Sequence, residues 1–224
     1  MTRAAVFDVD GTLVDTNHLH VVCWWEAFRQ AGHRVATHAV HRAVGLPSED
    51  LIARLLGEDR DRDEDSELSA AHTALYATYF ERLAPIKGAG DLLRALDDRG
   101  WRVVLATSAG SAELGALRRA IDADDVIAGV AGADDVESGK PAPDPVHRAL
   151  DLAGADPGSS VFVGDTVWDM KAGAAAGVLS VGVLAGGIPR RDLEAAGATA
   201  VYDGPAALLS CLDESPLARL ERRG

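Results

Sequence analysis

The amino-acid sequence predicts an α/β fold: a doubly wound parallel sheet with a block of helices inserted after its first strand. Two observations carry this prediction. From residue 85 onward, short apolar runs rich in β-branched residues alternate with helical patterns, which is typical of a parallel sheet with helices on both faces. The segment 17–83 breaks this alternation, because its helical patterns follow one another directly. The predicted strands are Ala4–Val9, Arg102–Thr107, Ile127–Ala131, Ser160–Gly164, Ser180–Leu184 and Thr199–Tyr202.

The helices are marked by their apolar faces and by their ends. In Ala89–Arg99, three leucines share one face and Gly100 follows as a plausible stop. Pro143–Leu152 begins with Pro and Asp, two residues that favour a helix start. The other predicted helices are Ser111–Ile121 and, within the insertion, His18–Ala31, Ser48–Leu56 and Glu67–Leu83.

The insertion divides the chain into two predicted domains. Residues 1–16 and 84–224 are expected to form an α/β core domain, and residues 17–83 an α-helical domain. The acidic run Glu58–Glu67 between two helices of the insertion is expected to be a solvated turn or helix face.

The composition limits the classes of partner. The chain has 224 residues, of which 47% are hydrophobic, and this suits a globular protein with a real core. Its net charge of −13 argues against non-specific binding of nucleic acid or anionic lipid. An anionic substrate would need local compensation by a metal ion, lysine or arginine, and lysine occurs only at Lys87, Lys140 and Lys171.

Cysteine usage and hydropathy predict a cytoplasmic protein. Cys23 and Cys211 lie far apart and match no metal or redox spacing, which favours a reducing compartment. Asp8 and Asp10 interrupt the early apolar run, so we expect no signal peptide. The longest uncharged stretch, 172–189, is rich in Gly and Ala and is expected to hold a helix end, a turn and a buried strand rather than a membrane span.

Polar side chains follow three of the predicted strands. Asp8 and Asp10 end the first strand, Thr107 ends the second, and Asp165 ends a later one. Lys140 comes before a proline-rich turn. In doubly wound sheets, ligands bind beyond the carboxyl ends of the strands, so we expect these five residues to converge if the strands are neighbours.

Carboxylates gathered in this way require compensation. They would repel one another and take up protons unless a divalent cation held them ionised. A site with oxygen ligands and room for water and phosphate suits Mg²⁺. The expected ligands are the carboxylates of Asp8 and Asp165 and the backbone carbonyl of Asp10, with Asp169 behind them to steady the loop or a metal-bound water.

The same residues suit phosphoryl transfer. Asp8 could act as the nucleophile, with Lys140 to orient it, and form an aspartyl-phosphate. Asp10 could serve as general acid for the leaving oxygen and then as base for water. The Thr107 hydroxyl and nearby backbone N–H groups would bind phosphoryl oxygens, and Gly11 would allow close backbone approach.

Four segments, in this order, resemble the motifs of the haloacid dehalogenase superfamily, in the subgroup with a helical cap that includes phosphoglycolate phosphatases and β-phosphoglucomutases. They are "DVDGTLVDT", "LATS", "SGKPAPD" and "GDTVWDM". The resemblance implies a Rossmann-like core with a cap domain at residues 17–83, which we call the cap. It also implies Mg²⁺-dependent phosphotransfer with Asp8 as nucleophile and Asp10 as acid/base. The second motif brings Thr107 and Ser108 to the substrate, and the third brings Lys140.

The branches of this superfamily differ at a few positions. Its dehalogenases lack the second aspartate of the first motif, so Asp10 favours phosphate chemistry. Its phosphonate-cleaving members form a Schiff base with a cap lysine, and residues 17–83 contain no lysine.

The resemblance to β-phosphoglucomutase extends into the cap. A His and a Trp follow the first motif at the spacing of His20 and Trp24. His20 could gate Asp10, whereas Trp24 is expected to pack the cap core. Ser48 lies in the expected substrate-reading loop, where the mutase pattern has an arginine that grips a second phosphate. Other basic candidates for that role are Arg34, Arg42, Arg54 and Arg82.

The leading hypothesis is a Mg²⁺-dependent phosphatase that hydrolyses a small phosphomonoester, such as a sugar phosphate or phosphoglycolate. A β-phosphoglucomutase-like phosphotransferase is the alternative, and products formed from glucose 1-phosphate would separate the two. A non-catalytic binding protein on the same scaffold is a second alternative. The sequence leaves the oligomeric state and the physiological substrate open.

Overall fold

Six parallel strands form the single sheet of the computed structural model, which describes residues 2–222. Their order across the sheet is β3-β2-β1-β4-β5-β6. This is the doubly wound α/β architecture that the sequence predicts, and all six predicted strands are confirmed. The strands are β1 (Arg3–Phe7), β2 (Trp101–Ala106), β3 (Ile127–Ala131), β4 (Ser160–Gly164), β5 (Leu179–Val183) and β6 (Ala200–Tyr202).

The register of the central strands aligns the ends that carry the polar motifs. Phe7 of β1 pairs with Leu105 of β2 on one side and with Val163 of β4 on the other. Asp8, directly after β1, donates its backbone N–H to the Val163 carbonyl oxygen at 2.9 Å. The strand order reverses between the neighbouring strands β1 and β4. In doubly wound folds, ligands bind at such a switch point.

Successive residues of β1 pack into two apolar clusters, one on each face of the sheet. Ala5 and Phe7 pack into a cluster on one face of the sheet, and Ala4 and Val6 pack into a cluster on the other. Both faces are therefore buried, which explains why the strands read as continuous apolar runs. The helices of the core are α5 (Ala89–Asp98), α6 (Ser111–Ile121), α7 (Asp144–Ala153), α8 (Val167–Ala175), α9 (Arg190–Ala195), α10 (Pro205–Ser210) and α11 (Pro216–Glu221).

Four α-helices lie between β1 and α5 and share an apolar cluster of their own, which includes Trp24, Phe28 and Leu51. The division of the chain at 17–83 stays a prediction. The acidic run Glu58–Glu67 is largely exposed. The helices are α1 (Asn17–Gln30), α2 (Thr37–Ala43), α3 (Ser48–Leu56) and α4 (Asp65–Ala77), followed by a 3-10 turn at Phe80–Arg82.

Two helix predictions for the cap were wrong. The sequence analysis missed α2, which has seven residues and buries only Val40 and Ala43, so its apolar period is too short to detect. The single helix predicted over Glu67–Leu83 ends at Ala77. There the Thr78 hydroxyl donates to the Leu75 carbonyl oxygen at 2.7 Å, a local bond that competes with continuation of the helix.

Among the helices of residues 2–222, none combines the length and the hydropathy that a bilayer span requires. Both cysteines are free thiols; Cys23 is buried and Cys211 is exposed. The cytoplasmic location stays a prediction.

Candidate active site

A tight loop after β1 presents the two motif-one aspartates. The backbone N–H groups of Leu13 and Val14 both donate to the Val9 carbonyl oxygen, at 2.8 and 3.0 Å. Gly11 has a φ of +72°, and a Cβ there would lie 2.4 Å from Asn17 Nδ2. Only glycine fits this position, because both the conformation and the space exclude a side chain.

Lys140 is the buried cation of the site. Its ammonium group contacts Asp8 Oδ1 and lies 2.8 Å from Asp169 Oδ1, and the lysine is only 4% exposed. Although burial opposes the charge, Asp169 and Asp8 together raise the pKa of Lys140 above its usual value. The lysine is therefore held as a cation at the end of the sheet.

Three carboxyl groups cluster at this end of the sheet, two of them in contact with Lys140, and we call Asp8, Lys140, Asp165 and Asp169 the floor of the site. One oxygen each from Asp8, Asp165 and Asp169 lies within 4.8 Å of the other two. Asp165 and Asp169 are almost fully buried, and Asp8 is 6% exposed. Asp8 directly follows β1, Asp165 directly follows β4, Asp169 lies in the first turn of α8, and Lys140 lies in the loop before α7.

Two polar neighbours that the sequence analysis missed hold these carboxyl groups in position. The Thr12 hydroxyl lies 3.1 Å from Asp8 Oδ2 and 3.0 Å from Asp165 Oδ1, so it bridges the two groups. Asn17 Nδ2 donates to Asp165 Oδ2 at 2.7 Å. Both residues carry no charge, and Asn17 resembles an ordinary polar residue at a helix start, so neither stood out in the sequence.

Asp169 makes two hydrogen bonds with Thr166 in the loop after β4. Its Oδ2 accepts hydrogen bonds from the backbone N–H of Thr166 at 2.9 Å and from the Thr166 hydroxyl at 2.6 Å. These bonds close a capping box at the start of α8. The same residue therefore orders the loop after β4 and compensates Lys140.

The protonation equilibria of the floor fit a divalent cation. Burial raises the pKa of Asp8 to about 7, although Lys140 opposes the shift. Burial and the neighbouring carboxylates of Asp8 and Asp169 raise the pKa of Asp165 well above its usual value. The single ammonium group of Lys140 thus does not compensate the charge of three buried carboxylates. A bound divalent cation would supply the missing positive charge. The donors are all oxygen, which suits Mg²⁺ among the common ions.

The Asp10 side chain belongs to a second cluster, next to the floor. Its Oδ1 accepts hydrogen bonds from the Thr16 hydroxyl at 2.6 Å and from His20 Nε2 at 3.2 Å. His20 Nε2 also lies 3.6 Å from Glu113 Oε1. The sequence analysis identified His20 but not Glu113, which comes from the first turn of α6 in the core.

In this cluster, His20 of the cap lies within reach of two carboxyl groups of the core, and the pKa values of these groups depend on one another. Burial alone would raise the pKa of Asp10, but the hydrogen bond from His20 outweighs burial and the pKa is lowered. Burial alone would lower the pKa of His20, but the hydrogen bond to Asp10 outweighs burial and the pKa is raised. Burial and His20 lower the pKa of His72 to about 3, so His72 is neutral. His72 Nε2 lies 3.1 Å from His20 Nδ1 and can accept its proton in a hydrogen bond. The raised pKa favours the protonated form of His20 between Asp10 and His72.

Aromatic groups of the cap enclose this histidine pair. The Tyr76 ring centroid lies 4.0 Å from that of His20, and the Trp24 ring stacks on His72 at 4.2 Å. We call Trp24, His72 and Tyr76 the roof of the site. Trp24 packs in the cap core, as expected, and is 3% exposed, but it also lines the cavity beneath.

The cap lies directly against the core. His41 Nε2 donates to the Gly186 carbonyl oxygen at 2.8 Å, and Arg42 binds the Asp192 carboxylate at 3.0 Å. The Arg54 guanidinium lies 5.1 Å from the centroid of the Trp168 ring, so it contacts the core as well. These contacts leave a cavity of about 460 Å³ between floor and roof.

The cavity contains five of the site residues that the sequence predicts. Thr107, Gly11 and Lys140 do not line it: Gly11 shapes the loop, and Lys140 lies behind Asp8. The Thr107 hydroxyl accepts from the Ala109 N–H at 3.1 Å, and its contact with a phosphoryl group stays a prediction. The five predicted residues in the lining are Asp8, Asp10, His20, Ser48 and Ser108.

Comparison with known proteins identifies the family. A family model described as haloacid dehalogenase-like hydrolase matches residues 2–177. The chain is 32% identical to a phosphoglycolate phosphatase of Neisseria gonorrhoeae over 192 residues, which cover 82% of this chain and 80% of that protein.

Solved structures agree with this assignment. The crystal structure of a hydrolase from Pseudomonas syringae has a TM-score of 0.90 and 32% identity, and the match covers 96% of this chain and 99% of that one. CbbY from Rhodobacter sphaeroides, solved in complex with phosphate, has a TM-score of 0.78 and 27% identity and covers 95% and 100%. The motif order, the fold and these matches agree, and the chain belongs to the haloacid dehalogenase-like hydrolase family.

Proposed function

We propose that this hydrolase is a Mg²⁺-dependent phosphatase that acts on small phosphomonoesters through an aspartyl-phosphate at Asp8. One observation carries the proposal. Asp8 lines the cavity between cap and core, paired with a buried lysine and within 4.8 Å of two further carboxyl groups. This arrangement is suited to a nucleophile that must approach an anionic phosphate. Four relatives of this chain, including the Neisseria gonorrhoeae protein described above, carry the name phosphoglycolate phosphatase, which agrees with the class of reaction.

In the first step, an Asp8 carboxylate oxygen attacks phosphorus. A bond forms between that oxygen and phosphorus, and the bond from phosphorus to the leaving oxygen breaks with its electron pair. Lys140 orients the attacking carboxylate, and backbone N–H groups near the start of α6 offer hydrogen bonds to the phosphoryl oxygens. Ser108, in the cavity lining, is a further donor for those oxygens.

The leaving oxygen takes up a proton from Asp10 and His20. Both hydrogen bonds that Asp10 accepts use Oδ1, so Oδ2 is the oxygen available to a substrate. The lowered pKa of Asp10 and the raised pKa of His20 favour a proton on His20 before reaction. As negative charge develops on the leaving oxygen, this proton would pass from His20 to Asp10 and from Asp10 to the leaving oxygen, so that the alcohol departs neutral and His20 is left uncharged. The proton that Asp10 later takes from water would return to His20.

The second step regenerates the enzyme. Asp10 accepts a proton from a water molecule, the water oxygen bonds to phosphorus, and the bond from phosphorus to Asp8 breaks. Inorganic phosphate and the free Asp8 carboxylate result. Contact of cap and core around the cavity would keep bulk water away until the alcohol has left.

Asp8 and Asp165, with the Asp10 backbone carbonyl, would hold Mg²⁺. When bound, the ion supplies positive charge that offsets the repulsion between the Asp8 carboxylate and the phosphate. Thr12 and Asn17 would keep both carboxylates oriented toward it.

Hydrolysis is favoured over sugar-phosphate transfer. In the mutase pattern, a cap arginine grips a second phosphate, and this chain has Ser48 at that position, in the cavity lining. The basic alternatives lie elsewhere: Arg42 binds Asp192, Arg54 lies over Trp168, Arg82 lies over Tyr79, and Arg34 is exposed.

The test is phosphate release from a panel of phosphomonoesters with and without Mg²⁺, for the wild type and for Asp8→Asn. We expect Mg²⁺-dependent release that the substitution abolishes, and free phosphate rather than an isomer from glucose 1-phosphate. Asp97→Asn, the same change at an exposed position of α5, is the matched control. Release that persists in Asp8→Asn at the wild-type rate would contradict the proposal.

A further inference from the structure

The basic side chains in the cavity walls are histidines. Within residues 2–222, neither lysine nor arginine lines the cavity, whereas His20 and His72 do. Lys140 lies behind Asp8, and its ammonium group is already bound by Asp8 and Asp169 at the phosphoryl end. Two cap arginines, Arg42 and Arg54, contact the core surface outside the cavity.

The side of the cavity that a leaving group would occupy is acidic instead. Glu113 and Asp10 both line it, and His20 lies between them, 3.2 Å from Asp10 and 3.6 Å from Glu113. His20 therefore already has an acidic partner in Asp10 and a second acidic group nearby. Glu113 offers no positive charge in either protonation state, but its oxygens can accept a hydrogen bond from a hydroxyl group.

The remaining lining is uncharged. Ser48 and Thr73 from the cap and Ser111 from α6 supply hydroxyl groups, and Trp24 and Phe80 supply apolar surface. A second anion in this space would lose its hydration beside Asp10 and Glu113, and the His20 imidazole there is already paired with Asp10, so binding the anion is costly. A polyol would exchange hydrogen bonds with water for hydrogen bonds with these groups.

We infer that the leaving group of the substrate carries no negative charge and presents hydroxyl groups to Glu113, which acts as a specificity-determining residue. This inference rests on the proposed phosphatase function and narrows its substrate class to phosphomonoesters of neutral polyols. It excludes bisphosphates and phosphorylated hydroxy acids as preferred substrates. The Neisseria relative is named for phosphoglycolate, a carboxylate, and this chain is expected to differ from it in selectivity.

The experiment compares esters that match in size and differ in charge. One pair is glycerol 3-phosphate and 3-phosphoglycerate, and the other is 2-hydroxyethyl phosphate and phosphoglycolate. In each pair a neutral CH₂OH group replaces a carboxylate. We expect kcat/KM to be higher for the neutral member by about tenfold or more, since like charges near 4 Å repel strongly at the edge of a protein.

Glu113→Gln tests the residue itself, because it removes the charge and keeps the shape. We expect the ratio of kcat/KM within each pair to fall by about three- to tenfold, through improved turnover of the carboxylate member. Glu113→Arg should go further and favour the carboxylate. Glu58→Gln, the same change at an exposed position of the cap, should keep the wild-type ratio.

Each outcome decides one statement. Equal or better turnover of the carboxylate members by the wild type would overturn the inference, and this measurement requires no variant to fold. A wild-type preference that Glu113→Gln leaves unchanged would overturn the role of Glu113. If no ester of the panel, phenyl phosphate included, releases phosphate in the presence of Mg²⁺, the proposed function itself fails.

Discussion

The floor and the roof of the cavity differ in how they use charge. The floor concentrates Asp8, Lys140, Asp165 and Asp169 in the buried end of the sheet. The roof buries Trp24, Tyr76 and a neutral His72. Charge is therefore concentrated where phosphorus would lie, and apart from His20 the cap lines the cavity with uncharged groups. Under the proposed function, the floor would carry the chemistry common to all phosphomonoesters, and the groups above it, together with Glu113 of α6, would select the leaving group.

Asp10→Asn should have the largest effect on turnover, because it removes the carboxylate that lies beside the floor and is hydrogen-bonded to His20 of the cap. For alkyl phosphates we expect steady-state turnover to fall by about 10²–10⁴-fold, since the leaving oxygen loses its acid and water loses its base. With 4-nitrophenyl phosphate, whose leaving group needs no proton, the first turnover should stay fast. Stopped-flow absorbance should show this burst. An equal loss in the burst and the steady state would contradict the acid/base role.

Lys140→Gln tests the floor alone. It leaves Asp8 and Asp169 buried without their cation, and breaking a buried ion pair in this way costs about 3–5 kcal/mol. We expect a lower free energy of unfolding in urea and strongly reduced activity, with part of the stability restored by Mg²⁺. Lys171→Gln, at an exposed position of α8, should change neither. Wild-type stability of Lys140→Gln without Mg²⁺ would contradict this description of the floor.

The floor could be predicted from the sequence further than the roof. Strand-end carboxylates after apolar runs are conspicuous, since few other positions tolerate a buried acid. Glu113 is inconspicuous, because an acid in the first turn of a helix is expected from the helix dipole alone. Its role depends on a cap helix, α1, that brings His20 to within 3.6 Å. Such contacts join residues far apart in sequence, and no local pattern encodes them.

A smaller effect should appear in the pH dependence of stabilisation by Mg²⁺. Without metal, Asp8 in the folded protein keeps its proton up to a pKa of about 7, whereas the unfolded carboxyl releases it near 3.8. The folded state binds more protons between these values, so the metal-free protein loses stability as pH rises through this window. Mg²⁺ needs the ionised carboxylates, so the rise in Tm at saturating Mg²⁺ should grow from about pH 5 to about pH 8.

Differential scanning fluorimetry with and without Mg²⁺, at matched ionic strength, measures this shift. Buffers held at constant ionic strength keep surface screening the same across the series. A rise in Tm that does not depend on pH would contradict the assignment of Mg²⁺ to the buried carboxylates.

The smallest effect is expected at the contact between cap and core outside the cavity. Arg42 and Asp192 form an exposed ion pair, with side chains 52% and 24% accessible. Such pairs contribute up to about 1 kcal/mol, so Arg42→Gln should change stability and KM only slightly, and less at high salt. A double-mutant cycle with Asp192→Asn measures the coupling. A large loss of kcat would show that this pair does more than hold the cap in contact.

Covalent capture of phosphate by the floor can be observed directly in the Asp10→Asn variant. After reaction with 4-nitrophenyl phosphate and Mg²⁺, quenching in acid and peptide mass spectrometry should find a phosphoryl group on the peptide that contains Asp8. The variant accumulates this species because it lacks the base that activates water. Phosphate release by the wild type without any phosphorylated Asp8 in the variant, or with the label on another residue, would contradict the account.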